Sequence, residues 1–407
     1  MSDFKLALVY LRSRTLVTLL TIASVALGLA LATVVLLVAR ETENTLMQES
    51  GYWDVVVGAK GSPLQVALNV LYYLDAPTGN IDIKVWNTLQ HDDAVKQIVP
   101  INMGDSYYGA PIVGTTMDIF APRIEAGERI LAQGQGFSKP FEAVVGADVA
   151  RRNQLRLGQH FAGSHGWTAS NDVHTESPYT VVGILALTGT SMDRAVYTDY
   201  RSVWEVHSHH DAHDSPAEVA ASRRAYSMVT ALLVRLTQPG RRFRFIEKVN
   251  AQQTAMAVIP VDQVSALAQK LIVPLQQLLI SVAYLVVFVA GLSILISLYL
   301  TIHQRRRDIA ILRSLGATQG DIFRLITLEA AMLAGLGVLA GWLIGHGVVA
   351  ACVPYTLAHY GIAPHAWQVA PAEFLIAGSV WVLGILAGLL PAAIAYRVPV
   401  AETIVQE

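Results

Sequence analysis

Four long apolar stretches constrain this chain more than any other feature. Leu16–Ala39 lies uncharged between Arg14 and Arg40, and Leu271–Ile302 between Lys270 and His303; Ala330–Val353 follows Glu329, and Phe374–Tyr396 lies between Glu373 and Arg397. Each exceeds the ~18 residues that mark a spanning helix, and about 20 residues cross the hydrocarbon core. The chain is 53% hydrophobic and 15% charged, whereas an ordinary soluble domain carries about 25% charged residues. These four stretches carry nearly all of the apolar excess. The pattern predicts a membrane protein with four transmembrane α-helices, one before and three after a long polar segment.

Short basic flanks set the expected orientation. Lys5, Arg12 and Arg14 precede the first span, Arg305, Arg306, Arg307, Arg313 and Arg324 separate the second from the third, and Arg397 follows the fourth. Lys and Arg accumulate in short cytoplasmic loops, and the 354–371 loop holds neither. The expected layout is a cytoplasmic N-terminus over 1–15, spans at 16–39, 271–302, 324–353 and 374–396, and a cytoplasmic segment over 303–323. A short outer loop at 354–373 and a cytoplasmic tail at 397–407 complete it. Residues 40–270 then lie outside. The first span is expected to stay in place, because its apolar run of about 24 residues exceeds the 7–15 of a signal peptide.

The outer segment reads as α+β. Val55–Val57, Ile81–Val85, Phe141–Val145, Tyr179–Leu185, Arg194–Tyr197 and Val229–Leu236 are rich in β-branched and aromatic residues and predict strands. Leu64–Leu74, Ala147–Leu155, Tyr200–His207 and Phe243–Gln253 predict helices, and Asp105–Lys139, rich in Gly and Pro, predicts loops. The second apolar run would extend roughly 48 Å as a helix against a core of about 30 Å. The first is followed by a helix-forming acidic stretch, Glu41–Glu49, ended by Gly51. Both helices are therefore expected to continue beyond the bilayer as a stalk. Cys352 stands alone and has no intrachain disulfide partner, and a net charge of −2 argues against a nucleic-acid surface.

Three groups of residues are candidates for function. In the segment between the second and third spans, Ile309, Leu312 and Leu315 recur at three-residue spacing, Arg306, Arg307 and Arg313 supply charge, and Asp308 lies among them. Gly316 can end a helix in the left-handed conformation, and Thr318-Gln319-Gly320-Asp321 fits a helix start. The alternative is a solvated connector with snorkelling arginines. Gly337, Gly341 and Gly345 repeat every four residues, a spacing that lets helix backbones approach closely in lipid, either within one subunit or at a dimer seam. Outside, His207, His209, His210 and His213 form a tract with Asp211 and Asp214. Imidazole and carboxylate suit zinc and similar ions, although a hydrophilic loop would have the same composition. Seven of the twelve histidines fall between His160 and His213. His346, within the third span, is expected to hydrogen-bond a neighbouring helix.

The run Arg307-Asp308-Ile309-Ala310-Ile311-Leu312-Arg313-Ser314-Leu315-Gly316-Ala317-Thr318, with Asp321-Ile322-Phe323 and Glu329, resembles the signature of FtsX/MacB/LolC-type ABC transporter permeases. Val144–Ala150, Leu157-Gly158 and Tyr179–Leu185 are similar to the periplasmic core domain of MacB-like proteins, and the one-plus-three layout of spans agrees. The resemblance implies a mechanotransmission (type VII) permease in the bacterial inner membrane, multi-pass and itself non-catalytic, forming a homodimer. It implies a separate ABC ATPase subunit carrying ATP and Mg, with Arg307, Asp308, Ile309, Leu312, Arg313, Leu315 and Gly316 in the coupling segment. It also implies that the outer domain acts on a substrate or partner protein in the periplasm. The sequence departs from MacB in holding no G-x-x-x-x-G-K-[ST] phosphate loop. A non-transport regulator of FtsX type, controlling an envelope enzyme, would share all these features. A membrane metal hydrolase is the third reading, without an H-E-x-x-H pair or nucleophile elbow to support it.

Overall fold

The computed structural model describes residues 3–166, 174–206, 227–304, 306–360 and 365–396. His207, His209, His210 and His213, together with Arg305, Arg397 and the 397–407 tail, lie outside the described residues. Thirteen helices are used below: α1 (Asp3–Arg12), α2 (Thr15–Gly51), α3 (Pro63–Tyr72), α4 (Ile83–Leu89), α5 (Ala121–Glu125), α6 (Ala147–Arg152), α7 (Tyr200–Val206), α8 (Arg242–Asn250), α9 (Pro260–Leu267), α10 (Val273–Gln304), α11 (Arg306–Ser314), α12 (Gln319–Tyr360) and α13 (Pro371–Tyr396). The chain divides into two compact units. A helical unit comprises Met1–Thr42, Leu271–Val353 and Pro364–Glu407; a mixed unit comprises Glu43–Lys270 and Pro354–Ala363.

Each apolar stretch forms one helix long and apolar enough to cross a membrane. In α10, Val287, Ala290, Ile294, Leu298 and Ile302 recur every three or four residues and are buried among Leu29, Ala330, Leu333, Ala334 and Val380. Leu278, Leu285, Val289, Leu292 and Ile296 on the same helix are exposed. A helix apolar on both faces, with one face packed and the other uncovered, suits a lipid surround. α9 runs into α10 through a π-helical turn at Ala268–Ile272.

The mixed unit is built on strands β1 (Val55–Ala59), β2 (Ile81–Asp82), β3 (Val95–Tyr107), β4 (Ala110–Thr115), β5 (Leu131–Gly134), β6 (Glu142–Val145), β7 (His160–Phe161), β8 (Ser164–His165), β9 (Tyr179–Leu185), β10 (Val196–Asp199), β11 (Met228–Val229), β12 (Ala231–Leu236) and β13 (Ala255–Val258). The main sheet runs β13-β1-β12-β3-β4-β10-β6-β9-β5, with β8 added to β3 and β7 to β9. Successive residues of a strand face opposite sides, and both sides are covered here. Val56 and Leu233 enter one core with Trp53, Val66 and Tyr197, whereas Val55, Val57, Leu232 and Val234 enter another with Leu89 and Phe245.

β3 organises the sheet. Its first half pairs with β12 and its second with β4 and β8. The expected strand Ile81–Val85 yields after two residues to α4, because the Asp82 carboxylate accepts the Lys84 amide at 2.8 Å and caps a helix. The expected loops of 105–139 instead hold the end of β3, together with β4, α5 and β5.

Candidate functional site

In the helical unit, α11 is closed at its C-terminal end by its own sequence. Gly316 adopts φ +103°. The amide of Ala317 bonds the carbonyl of Leu312 at 3.0 Å, and that of Gly316 bonds Arg313 at 3.1 Å. These are the paired bonds of a Schellman stop. Two residues on, the Thr318 amide donates to Asp321 Oδ2 at 2.8 Å and the Asp321 amide donates to Thr318 Oγ1 at 3.2 Å. This reciprocal box opens α12. The local expectation of helix, stop and new helix is what the structure shows.

The apolar residues of α11 divide between two faces. Ile309 is buried and Leu312 partly so, against the cluster containing Leu298, Ile302, Ile322 and Ile326. Leu315, expected to share their stripe, is 80% exposed, and Ile311, four residues before it, is 46% exposed. Residues at i and i+4 share a helix face. α11 and the Leu315 that follows it, whose amide bonds the Ile311 carbonyl at 3.0 Å, therefore present an outward apolar pair, while Arg306, Arg307 and Asp308 are also exposed. Ile311 was not singled out from sequence; the three-residue spacing favoured the inward face.

The glycine repeat is used within the chain. A Cβ at Gly337 would meet Val25 Cβ at 2.6 Å, one at Gly341 the Ala26 carbonyl at 2.6 Å, and one at Gly345 Thr33 Cβ at 2.8 Å. All three thus seat α12 on α2. His346 makes the helix contact expected of it. Its Nε2 lies 2.8 Å from Glu373 Oε2, and its Nδ1 bonds the Ala366 carbonyl. Trp342 Nε1 donates to the same Glu373 oxygen at 2.9 Å.

In the mixed unit, the last turns of α2 are held by a buried ionic network that sequence reasoning missed. Glu49 Oε1 accepts from the Ser191 amide at 2.8 Å and from the Ser191 hydroxyl at 3.0 Å. It lies 3.8 Å from the Arg123 guanidinium, with both side chains 5% exposed. Arg123 also pairs with Glu128 at 2.8 Å and stacks over Tyr52. The same Ser191 hydroxyl lies 2.7 Å from the Leu71 carbonyl, so its one proton is shared between the two acceptors, and the Tyr72 hydroxyl donates to the carbonyl of Leu46. Below this network Tyr73 and Tyr197 hydrogen-bond each other at 2.9 Å, and burial pushes both hydroxyls above the ordinary tyrosine range. The only local hint was Glu49 itself, in the polar Glu41–Glu49 stretch that extends an apolar helix.

A second cluster lies where β3 and β8 meet. Asp105, 2% exposed, has His165 Nδ1 at 3.5 Å and His174 Nε2 at 3.6 Å from its Oδ1. One ligand atom from each of the three residues lies within 4.8 Å of the others. Both histidines are among the seven that fall between His160 and His213, but the sequence placed the metal candidates at His207, His209, His210 and His213, outside the described residues.

Comparison with known proteins places this architecture. The MacB-like periplasmic core domain matches residues 18–271 and the FtsX-like permease C-terminal family matches residues 280–400. The chain belongs to the FtsX/MacB-like ABC transporter permease family. Its four membrane helices, the large α+β periplasmic domain after the first and the three helices at the C-terminal side are the family layout. Among curated relatives, it is 25% identical over 355 residues to the pyoverdine export ATP-binding/permease protein PvdT of Pseudomonas aeruginosa, covering 80% of this chain and 47% of that one. It is 32% identical over 126 residues to the macrolide export ATP-binding/permease protein MacB of Hyphomonas neptunium, covering 30% and 18%. The uncharacterized ABC transporter permease YknZ of Bacillus subtilis is 27% identical over 135 residues, covering 33% and 32%. The chain thus spans less than half the length of each. Of solved structures, the periplasmic region of MacB from Actinobacillus actinomycetemcomitans aligns at 10% identity with a TM-score of 0.33, over 54% of this chain and 95% of that one.

Proposed function

We propose that this permease is the membrane subunit of a mechanically coupled ABC system in a bacterial inner membrane. In this reading both termini are cytoplasmic, the chain pairs with a second copy of itself, and ATP is hydrolysed on a separate ATPase polypeptide. The observation that carries the reading is α11. A helix of nine residues, closed by a glycine stop and followed at once by a capped helix, presents Ile311, with Leu315 just after it, outward and Ile309 and Leu312 inward. Two apolar anchors one turn apart, flanked by charge, suit docking of a helix into a groove of a soluble partner. Force applied to the outward pair reaches α10 and α12 through Ile309 and Leu312, which pack against both. Arg14, at the start of α2, donates to Thr301 near the end of α10 at 2.9 Å, so α2 moves with them. α2 continues unbroken to Gly51, and Glu49 at its far end grips Ser191 and Arg123.

The periplasmic domain is the working part in this scheme, acting on a substrate or partner protein. A divalent metal of zinc type belongs to the proposal as its ligand, on the strength of the histidines concentrated in that domain. The coupling element is tested by co-purification of the ATPase with the chain in detergent. Ile311→Asp/Leu315→Asp should lose the ATPase while inserting normally, since both side chains are exposed. Retention of the ATPase at wild-type stoichiometry by that variant refutes the docking role.

A further inference from the structure

We propose that Asp105, His165 and His174 form a zinc-type divalent-cation site in the periplasmic domain, with one coordination position open to water or a partner's ligand. The site is made by the sheet itself. β3 and β4 pair with a register shift between Met103 and Asp105, which leaves Gly104 as the extra residue of a bulge. A bulge re-aims the following side chain. Asp105 then pairs directly with His165 across the β3–β8 ladder. The Gly166 amide bonds the Gly104 carbonyl at 2.8 Å, and the His174 amide bonds Gly163 at 2.9 Å. Backbone hydrogen bonds therefore hold all three residues in place, independently of any ion.

The spacing suits coordination better than direct pairing. Both imidazole nitrogens stand 3.5–3.6 Å from the same carboxylate oxygen, beyond the ~2.7–3.2 Å of an N–H···O hydrogen bond. Ligand bonds of about 2.0–2.2 Å around tetrahedral zinc place neighbouring ligand atoms about 3.3–3.6 Å apart, which is the separation from the Asp105 oxygen to each histidine. Two imidazoles and one carboxylate favour zinc and its transition-metal neighbours over calcium or magnesium, which take oxygen ligands. Access is also suitable. The carboxylate is 1% exposed, His174 21% and His165 57%, so an ion enters from the His165 side and rests on a buried acid. Three protein ligands from the described residues fill three positions of a tetrahedron, the fourth being the one assigned to water or a partner's ligand. A bound ion ties β3, β8 and the segment before β9 together.

This inference deepens the metal element of the proposed function and is independent of its ATPase element. The test uses the full chain in detergent, stripped of metal and titrated with zinc against a chromophoric chelator, with cobalt as the spectroscopic probe. Wild type should bind one equivalent with the intense visible bands of tetrahedral cobalt. His207→Ala/His209→Ala/His210→Ala/His213→Ala should keep that equivalent and its spectrum. His165→Ala/His174→Ala should lose at least about 100-fold in affinity, given that even residues supporting a ligand are worth about 10–100-fold. Hydrogen exchange of β3 and β8 amides, slowed by zinc in wild type and not in the double variant, distinguishes a lost site from a lost fold. Unchanged affinity and spectrum in His165→Ala/His174→Ala overturn the site. Loss in the tract variant alone overturns it too, while leaving a metal-binding periplasmic domain; absence of binding in every protein overturns both.

Discussion

Glu49→Ala tests whether the end of α2 is anchored by charge. Its carboxylate receives two hydrogen bonds from Ser191 and faces Arg123 at 3.8 Å, with both side chains 5% exposed. Removing one partner of a buried ion pair costs about 3–5 kcal/mol, mostly because the other charge is left uncompensated. Arg123 keeps Glu128 at 2.8 Å, so the cost should fall near the lower end, about 3 kcal/mol. Ser191→Ala, which removes one hydrogen bond to the carboxylate, should cost about 1.5–3 kcal/mol. The assay is hydrogen exchange of the backbone amides of 43–51 in the full chain, because local opening reports the stability of that segment alone. At about 1.4 kcal/mol per tenfold, Glu49→Ala should speed exchange there by about 100-fold. Exchange within about threefold of wild type in Glu49→Ala would refute the anchor.

Two further substitutions address the helical unit. Gly316→Ala places a side chain at φ +103° and should cost about 1–3 kcal/mol, seen as faster exchange at residues 312–318; Gly320→Ala, inside the first turn of α12, should not. Gly341→Leu forces a side chain against the Ala26 carbonyl and Leu29. It should lower the melting temperature in detergent through overpacking worth about 1–3 kcal/mol, whereas Gly347→Leu, which meets nothing within 4 Å on the same helix, should leave it unchanged.

The membrane helices were legible because lipid demands one thing of a sequence, a long run without charge, and four such runs are present. The stop and restart around Gly316 were equally plain, since a left-handed glycine and a Thr-x-x-Asp box are local signals. β3 was not legible. Pro100, Gly104 and Asp105 interrupt its apolar residues, and its coherence comes from β12, β4 and β8, which are distant in sequence. Asp105 therefore reads from sequence as the start of a loop, although it is a buried strand residue beside two histidines. The Glu49 network escaped notice for the same reason: Arg123 and Ser191 lie 74 and 142 residues away. Composition drew attention to the densest histidines, at 207–213, while the sheet brought together His165 and His174.

In the proposed scheme, force received at α11 reaches the periplasmic domain. The most direct test is hydrogen exchange of the chain in complex with its ATPase in lipid nanodiscs, with and without ATP. Nucleotide should change exchange at residues 43–51 and 260–272 as well as at α11, and Ile311→Asp/Leu315→Asp should abolish the change. A nucleotide response that stops at α11, or that persists at 43–51 in the double variant, would contradict the account.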